Sequence, residues 1–555
     1  MTRRELILAA VLGLAIALAM HWPLPLRLDS EVPGDLGDPL FQAWQVAWGG
    51  HALVHQPLDY FQANAYWPLR NTLAFSDALV GYAPAGLIGS GPEAALVRYN
   101  ALLLFAYWLA FFGAYLLARE LGATPLGATV AGAAFAYAPW RLDQIIHLNI
   151  LSSGGIPLAL FLFIRGYRRR RPGLVLAGWV VATWQLSLGF NLGLQLAYLL
   201  VVAGIAVLVL RRRTPRLSRG VAAATAGGMA IFALVGLVMS RPYVQVADDH
   251  PEARRPPETV AEFSAPARSY LAAPENNLLW GDATKAIRDQ TNWPNEHSLF
   301  PGLVALLLAA LGVVSTWVPR RLRIGLAAAG VVCAVLAVGF SMSGVREFAP
   351  YRLLYELLPG WDSVRVPSRI NTLTSLALAL LAGLGATTLA RFVRRRSTLA
   401  GYAIGVALPV AVLIEGLGPT PVYEVPKPPR GVMSARAPQY HLPARDGDSI
   451  RYLLWSTRRY PELVNGYGSF WPRLKLRAAS LTRSFPDRRS VAWLRALGVR
   501  TVIVHPDVAR GSGWAGAVAG DVEGLPLRRA VKDEFVVYAL APMHGRPRTA
   551  RAGEP

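Results

Sequence analysis

The chain has 555 residues, of which 53% are hydrophobic and 16% charged, against about 25% charged residues in ordinary globular proteins. Its formal net charge is +22, but much of that charge stands in short arginine clusters between long apolar runs. Cytoplasmic loops of membrane proteins carry such clusters. The composition therefore excludes an ordinary soluble protein, and the charge pattern does not indicate a nucleic-acid partner.

About eleven apolar runs are predicted to be membrane-spanning helices, because roughly 20 apolar residues cross a bilayer. Their approximate limits are 5–24, 97–118, 124–140, 149–165, 173–189, 192–210, 221–240, 299–317, 323–341, 368–390 and 398–417. Helices satisfy their own backbone hydrogen bonds in lipid, and these Leu-, Ala- and Val-rich runs suit helices. The fold class predicted is an α-helical polytopic membrane protein.

The positive charges orient these spans. With Arg3 and Arg4 on the cytoplasmic side, the arginine-rich loops between later spans also fall inside; they lie at 166–172, 211–220, 318–323 and 391–397. An odd number of spans then leaves the C-terminal part outside. We predict a multi-pass protein of the cell membrane, with the lipid bilayer as a partner and a cytoplasmic N-terminus. Its long outside loops are 25–96, 241–298 and 342–367.

The composition changes after Gly418, where several prolines between 419 and 429 indicate a stiff linker. Beyond the linker, Ser490 to Leu497 is predicted as a helix that Gly498 ends. The stretches 499–504 and 535–538 are predicted as strands. We predict three parts: a membrane domain over 1–418, a small C-terminal extracytoplasmic α/β domain over 419–543, and a disordered tail over 544–555.

The first candidate site follows the first span. The segment Gly34-Asp35-Leu36-Gly37-Asp38-Pro39 places two carboxylates in a turn rich in glycine and proline. Two such carboxylates could bind a metal ion or act as a general base. The alternative interpretation is a solvated turn in which Asp38 and Pro39 begin a helix.

A second candidate runs from Ser363 to Arg369, at the outside end of a predicted span. Arginines there go against the positive-inside bias, and Arg365 and Arg369 would point the same way if the helix began early. A guanidinium group suits bidentate binding of phosphate. The alternative is that both side chains reach lipid headgroups and only anchor the chain.

Two further groups of polar residues lie in outside loops. Asp143 and His147 are four residues apart, so they would share one helix face. They could bind a metal ion or relay a proton, or they could simply hydrogen-bond at a helix end. The loop 241–298 mixes acids, amides and aromatic rings, which suit sugar rings and are also common in turns. The candidates in this loop are Glu275, Asp282, Glu296 and His297.

Several well-known catalytic motifs are absent from the sequence. It contains no GxxxxGK[ST] phosphate loop, no HExxH, no CxxC pair and no GxSxG. ATP-driven transport, zinc proteolysis and serine hydrolysis therefore lose support. Few charges lie deep within the spans, which also argues against an ion-coupled transporter.

This layout resembles the GT-C superfamily of membrane glycosyltransferases, which use polyprenyl-phosphate sugars and include protein O-mannosyltransferases and the aminoarabinose transferase of lipid A. The shared features are a first outside loop with an acidic motif, the number of spans, and an outside domain at the C-terminal end. Three short stretches look like those of uncharacterised bacterial members: Tyr270 to Asn276, Ser298 to Gly302, and Arg365 to Arg369.

The resemblance implies the site residues and the substrates. It implies that Asp38, or after it Asp35, acts as the catalytic base or positions the acceptor, and that Arg365 and Arg369 hold the lipid phosphate. It also implies transfer of a sugar from a polyprenyl-phosphate donor to a glycan, lipid or protein acceptor on the extracytoplasmic side. No cofactor is certain, and the order Asp-Leu-Gly-Asp leaves open whether Asp35 and Asp38 bind a divalent metal ion.

Two alternatives from other functional classes stay open. A transporter or flippase for a lipid-linked or amphipathic substrate would need polar groups within the spans, of which Gln185, Asn191 and Gln195 are the nearest candidates. A membrane scaffold whose C-terminal domain binds a partner would need neither Asp38 nor the two arginines.

Overall fold

A computed structural model describes residues 1–210, 217–341, 349–532 and 534–542 of the chain. The arginines at 211–213 and the predicted tail over 544–555 lie outside the described residues. The α-helices are α1 (Arg3–Met20), α2 (Asp38–His55), α3 (Pro92–Glu120), α4 (Pro125–Ala136), α5 (Leu148–Leu151), α6 (Gly155–Arg169), α7 (Pro172–Leu188), α8 (Phe190–Leu210), α9 (Arg219–Asp249), α10 (Pro257–Glu262), α11 (Lys285–Arg288), α12 (Pro294–His297), α13 (Leu303–Val314), α14 (Arg320–Ala337), α15 (Pro350–Leu357), α16 (Asn371–Arg394), α17 (Thr398–Glu415), α18 (Asp446–Ser456), α19 (Arg473–Leu481), α20 (Arg488–Leu497) and α21 (Pro506–Ala509). The strands are β1 (Glu31–Pro33), β2 (Val422–Glu424), β3 (Gln439–Leu442), β4 (Thr501–Val504), β5 (Leu527–Val531) and β6 (Val536–Leu540).

The fold is mostly helical, and each of the predicted apolar runs contains a helix. Within the described residues, 6 segments are long and apolar enough to cross a membrane: Pro92–Glu120, Leu148–Arg169, Phe190–Val209, Arg219–Asp249, Pro367–Arg394 and Thr398–Glu415. Helices α4, α7 and α13 are apolar but shorter. The full count of crossings and the side on which each loop lies stay predictions.

The chain divides into two compact units. The first unit comprises Met1–Leu26, Ala101–Val238 and Arg255–Pro421, and the second comprises Arg27–Asn100, Met239–Arg254 and Val422–Pro555. These limits do not follow the predicted division at residue 418, because parts of two predicted outside loops are grouped with the C-terminal segment. That the predicted ranges fold as independent domains stays a prediction.

The first unit is built around α16, which packs against α4, α13, α14 and α17. Glycines permit the closest of these approaches. A Cβ atom at Gly385 would overlap the carbonyl of Leu308 on α13, and one at Gly127 of α4 would overlap the Thr387 hydroxyl. Helices that pack without water rely on such small residues to bring their backbones together.

The second unit contains a four-stranded sheet in the order β3-β4-β6-β5, in which β3 and β4 are parallel and the other pairs antiparallel. The predicted helix over 490–497 is present as α20. It begins with a reciprocal capping box between Asp487 and Ser490, and Gly498 ends it with φ of 93°. A left-handed residue at this position is most easily a glycine, which explains why the sequence signal was reliable.

The same unit buries α2 almost completely, against α18 and the turn at Val80–Leu87. A Cβ at Gly50 of α2 would overlap the backbone of Gly86, so both positions need glycine. Near the start of α2, β1 pairs with β2 in antiparallel register, with Val32 opposite Tyr423. The predicted first outside loop and the C-terminal segment therefore share one core.

Candidate functional site

The acidic turn leads directly into α2 of the second unit. Gly34 adopts φ of 88°, and the Gly37 N–H donates to Asp35 Oδ1 at 2.7 Å, which fixes the turn. Helix α2 begins at Asp38 with Pro39 in its first turn, so the predicted helix start is confirmed. Carboxylate Oδ1 of Asp38 accepts a hydrogen bond of 3.2 Å from the Tyr467 hydroxyl.

Tyr467 is a site residue that the sequence analysis missed. Two flanking glycines let its loop lie close to the segment that carries Tyr66 and Phe75. A Cβ at Gly466 would lie 2.5 Å from the ring of Tyr66, and one at Gly468 would lie 3.0 Å from Phe75. The tyrosine ring also meets Phe41 edge-on, with ring centroids 5.1 Å apart. The signal in the sequence that could have indicated this residue is its place as an aromatic residue between two glycines.

A cavity of about 370 Å³ adjoins this turn. Its lining residues all belong to the second unit: Leu36, Gly37, Arg445, Gly447, Asp448 and Arg451. Two of them form an ion pair, since Arg445 Nε lies 2.6 Å from Asp448 Oδ2. The cavity thus lies between the acidic turn and the first turns of α18, and sequence analysis gave no sign of it.

A divalent metal ion bound by the acidic turn stays a prediction. Over the described ranges, no group of three or more His, Cys, Asp or Glu side chains is arranged to hold a metal ion. One oxygen of Asp35 is occupied by the turn itself, and one oxygen of Asp38 accepts from Tyr467. An ion such as Mg²⁺ can bind through as few as one or two carboxylates, so Asp35 and Asp38 would be its protein ligands in this turn.

In the first unit, Glu296 and Arg369 form a close ion pair. Glu296 Oε1 lies 2.6 Å from one terminal nitrogen of Arg369, and Glu296 Oε2 lies 3.5 Å from Arg369 Nε. Both side chains are largely buried, at 12% and 14% exposure. His147 adds a third member, because its Nε2 lies 4.0 Å from Glu296 Oε1. Three of the predicted candidates therefore meet in one cluster.

Gln144 orients the histidine of this cluster. Its Nε2 donates to the Asn295 carbonyl at 3.1 Å, which leaves its Oε1 to accept from His147 Nδ1 at 3.1 Å. With Nδ1 as the donor, Nε2 of His147 is directed toward Glu296. The sequence analysis did not propose Gln144 as a site residue. We call Gln144, His147, Glu296 and Arg369 the Glu296 cluster.

The pKa values of the two acids in this region, Glu296 and Asp143, are shifted in opposite directions. Burial would raise the pKa of Glu296, but the positive charge of Arg369, aided by His147, outweighs burial and lowers it to about 2. Burial raises the pKa of Asp143 to about 7, because a hydrogen bond with Ser298 and the charge of Arg288 only partly oppose it. Glu296 is therefore fixed as a carboxylate, whereas Asp143 can hold or release a proton near neutral pH.

Arg365 lies in a different setting from Arg369. Its guanidinium carbon is 4.7 Å from the centre of the Phe263 ring, a cation–π distance, and Phe263 stacks on Trp293 at 4.8 Å. Burial lowers the pKa of Arg255 to about 10, and repulsion from Arg365 adds to the effect. Two guanidinium groups are thus close enough to repel each other, a pairing that the sequence did not predict.

The condition under which Arg365 and Arg369 would point the same way is not met. Helix α16 begins only at Asn371, after a 3-10 turn over Pro367–Ile370. Arg365 therefore precedes the helix and Arg369 lies within the turn, and each has its own partners. Both charges still act on one group, since each of them lowers the pKa of Glu296.

The remaining candidates are less closely integrated. Glu275 and Asp282 are exposed, although the charge of Glu275 contributes to the raised pKa of Asp143. His297 is buried, which lowers its pKa. The amides proposed for a transport path bond to their neighbours: Gln185 Nε2 donates to the Ser152 carbonyl at 2.8 Å, and Gln195 Nε2 donates to Asn191 Oδ1 at 2.6 Å.

The fold is similar to those of solved membrane glycosyltransferases. The arabinofuranosyltransferase AftD from mycobacteria matches with a TM-score of 0.56 at 14% identity, over 99% of this chain and 40% of AftD. A mutant form of AftD matches with a TM-score of 0.59 at 16% identity, over 98% and 42%. The oligosaccharyltransferase of Archaeoglobus fulgidus gives a TM-score of 0.48 at 14% identity, over 96% and 73%.

No protein-family model and no curated protein matches the sequence. The chain spans about two fifths of the length of AftD. AftD has the GT-C fold, so the fold expected from the GT-C resemblance is confirmed.

Proposed function

We propose that the chain is a membrane glycosyltransferase of the GT-C type. It moves a sugar from a polyprenyl-phosphate donor to a glycan, lipid or protein acceptor on the extracytoplasmic side of the cell membrane. The observation that carries this proposal is the likeness to the AftD fold over 98–99% of the chain. The donor already contains a good leaving group, so the enzyme needs a base for the acceptor and positive charge for the departing phosphate.

Asp38 is the base in this proposal. Its carboxylate stands at the first turn of a buried helix, where the Gly37–Asp35 hydrogen bond fixes the preceding backbone. Tyr467 orients the carboxylate through Oδ1. Asp35 stabilises the turn rather than touching the substrate. A carboxylate held in this way removes the proton from an acceptor hydroxyl as the hydroxyl oxygen attacks the sugar.

Arg365 and Arg255 bind the donor phosphate. Their mutual repulsion favours an anion beside them, because a phosphate interacts favourably with both guanidinium groups and offsets the repulsion. Arg369 has a supporting part, because its pair with Glu296 fixes the turn that leads into α16. In this proposal Arg255 replaces Arg369 as the second arginine, beside Arg365, that binds the phosphate.

The test is native mass spectrometry of the detergent-purified chain, comparing wild type with the Arg255→Gln/Arg365→Gln double variant. We expect a polyprenyl phosphate or its sugar conjugate to co-purify with the wild type and to be lost from the double variant. The matched control is Arg320→Gln/Arg321→Gln, which removes two exposed charges at the start of α14. Finding only bulk phospholipid in all three samples would contradict the proposal.

Asp38→Asn separates the enzyme from a transporter. The variant should retain the co-purified lipid, because the phosphate contacts are intact, while sugar transfer falls about a hundredfold or more. Transfer is measured with the donor that the mass spectra identify. Unchanged sugar transfer in Asp38→Asn would show that Asp38 is not the catalytic base.

A further inference from the structure

Arg451 lines the cavity beside the acidic turn, and no acid in the described part of the chain neutralises it. In the part of the chain that the structure describes, no carboxylate lies within ion-pair distance of Arg451. Its guanidinium carbon lies 6.0 Å from the centre of the Trp455 ring. Arg445 is paired with Asp448 at 2.6 Å. The charged lining therefore has two positive groups and one negative group, and the positive charge in excess belongs to Arg451.

The cavity has room for a ligand. Its volume of about 370 Å³ falls in the range of small-molecule sites, which is about 300–1,000 Å³. On the α18 side, a Cβ at Gly447 would meet no atom within 4 Å. On the other side, the wall is the backbone of Leu36 and Gly37, held by the bond to Asp35. The space is thus bounded by the backbone of the acidic turn on one side and by residues of α18, among them Arg451, on the other.

Its position indicates which substrate it serves. Leu36 and Gly37 line the cavity, and Gly37 is the residue directly before Asp38. If Asp38 is the base, then a molecule in this cavity lies beside the group that removes a proton from the acceptor. The lining also lacks a long apolar groove of the kind a polyprenyl chain would need, since Leu36 is its one large apolar side chain among the described residues.

We propose that this cavity binds the acceptor and that the acceptor is an acidic saccharide, whose carboxylate interacts with Arg451. A guanidinium group binds a carboxylate by two parallel hydrogen bonds, which fixes the orientation of the sugar as well as its charge. Arg445 also lines the cavity, but Asp448 neutralises its charge. That the bound saccharide is the acceptor rests on the proposed function. That the cavity binds an acidic saccharide does not depend on it.

The experiment is calorimetric titration of the full chain in lipid nanodiscs with two probes, methyl β-D-glucuronide and methyl β-D-glucoside, which differ in one carboxylate. The glucuronide should bind about tenfold more tightly than the glucoside, because a charge-assisted hydrogen bond contributes that much. Arg451→Gln should remove this difference, and Gly447→Leu should abolish binding of both probes by filling the cavity.

The control variants are Arg510→Gln, an exposed arginine of the same unit, and Gly511→Leu, a glycine with equally open surroundings. Both should bind the probes as the wild type does. Equal affinity of the wild type for the two probes, no binding of the glucuronide, or full binding by Gly447→Leu would each overturn the proposal.

The titration needs neither the lipid donor nor turnover, so its result is independent of the transferase assays. Glucuronide binding without any co-purified polyprenyl lipid would reject the proposed transferase and retain the acidic-saccharide cavity. Co-purified lipid and Asp38-dependent transfer without glucuronide binding would reject only the cavity.

Discussion

The two units use arginine in opposite ways. In the first unit, Arg369 is neutralised by Glu296 in a pair that is 14% and 12% exposed. In the second unit, Arg451 borders an open cavity, and no carboxylate of the described ranges pairs with it. Arg369 lies in the 3-10 turn that precedes α16, and Arg451 lies within α18. What separates a structural arginine from a ligand-binding arginine is therefore the nearest carboxylate and the free space, neither of which is a local property.

The largest effect should come from breaking the neutralised pair. Glu296→Gln leaves Arg369 largely buried without its carboxylate, and we expect the free energy of unfolding to fall by about 3 kcal/mol. The matched control is Glu356→Gln, which breaks an exposed pair with Arg352 and should cost less than about 0.5 kcal/mol. Unfolding followed by tryptophan fluorescence in detergent measures both. Equal losses would show that the Glu296 pair is no more than a surface contact.

A smaller effect should distinguish the two acids of the first unit. Because the pKa of Asp143 is raised from 3.8 to about 7, the folded state holds a proton that the unfolded chain has released. Stability from this group is greatest below about pH 4 and declines as the pH rises toward 7. Asp143→Asn should remove this decline, which in the wild type is about 1.4 kcal/mol per pH unit between the two pKa values. Parallel curves for wild type and variant would contradict the assignment.

The smallest effect is expected in the second unit. Arg451→Gln removes a charge with no ion-pair partner among the described residues, so the free energy of unfolding should change by no more than about 0.5 kcal/mol. The same unfolding assay measures it. A loss as large as that of Glu296→Gln would mean that Arg451 supports the fold, and the comparison between the two arginines would fail.

Local signals in the sequence predicted local structure well. Apolar runs indicated helices, Asp38 and Pro39 indicated the start of α2, and Gly498 indicated the end of α20. Each of these signals depends on backbone chemistry within a few residues. The predicted helix over 490–497 and the strand within 499–504 are therefore present in the structure.

The partners of the site residues could not be predicted in this way. Arg369 meets Glu296 from 73 positions away, and Tyr467 meets Asp38 from 429 positions away. Such contacts depend on how helices pack, and no residue type or spacing encodes them locally. The early helix start that would have aligned Arg365 with Arg369 was wrong for the same reason: the Pro367 turn, not the side-chain spacing, sets where α16 begins.

The pairing of β1 with β2 constrains the order in which the protein is made. Strand β1 ends at Pro33 and its partner begins at Val422, so the N-terminal strand emerges from the ribosome long before its partner exists. Synthesis at about 5–20 residues per second separates the two by tens of seconds. During that interval the C-terminal segment does not yet cover the apolar surface of α2 that later packs against α18. Until translation reaches that segment, α2 and β1 therefore lack part of the packing that the complete chain provides.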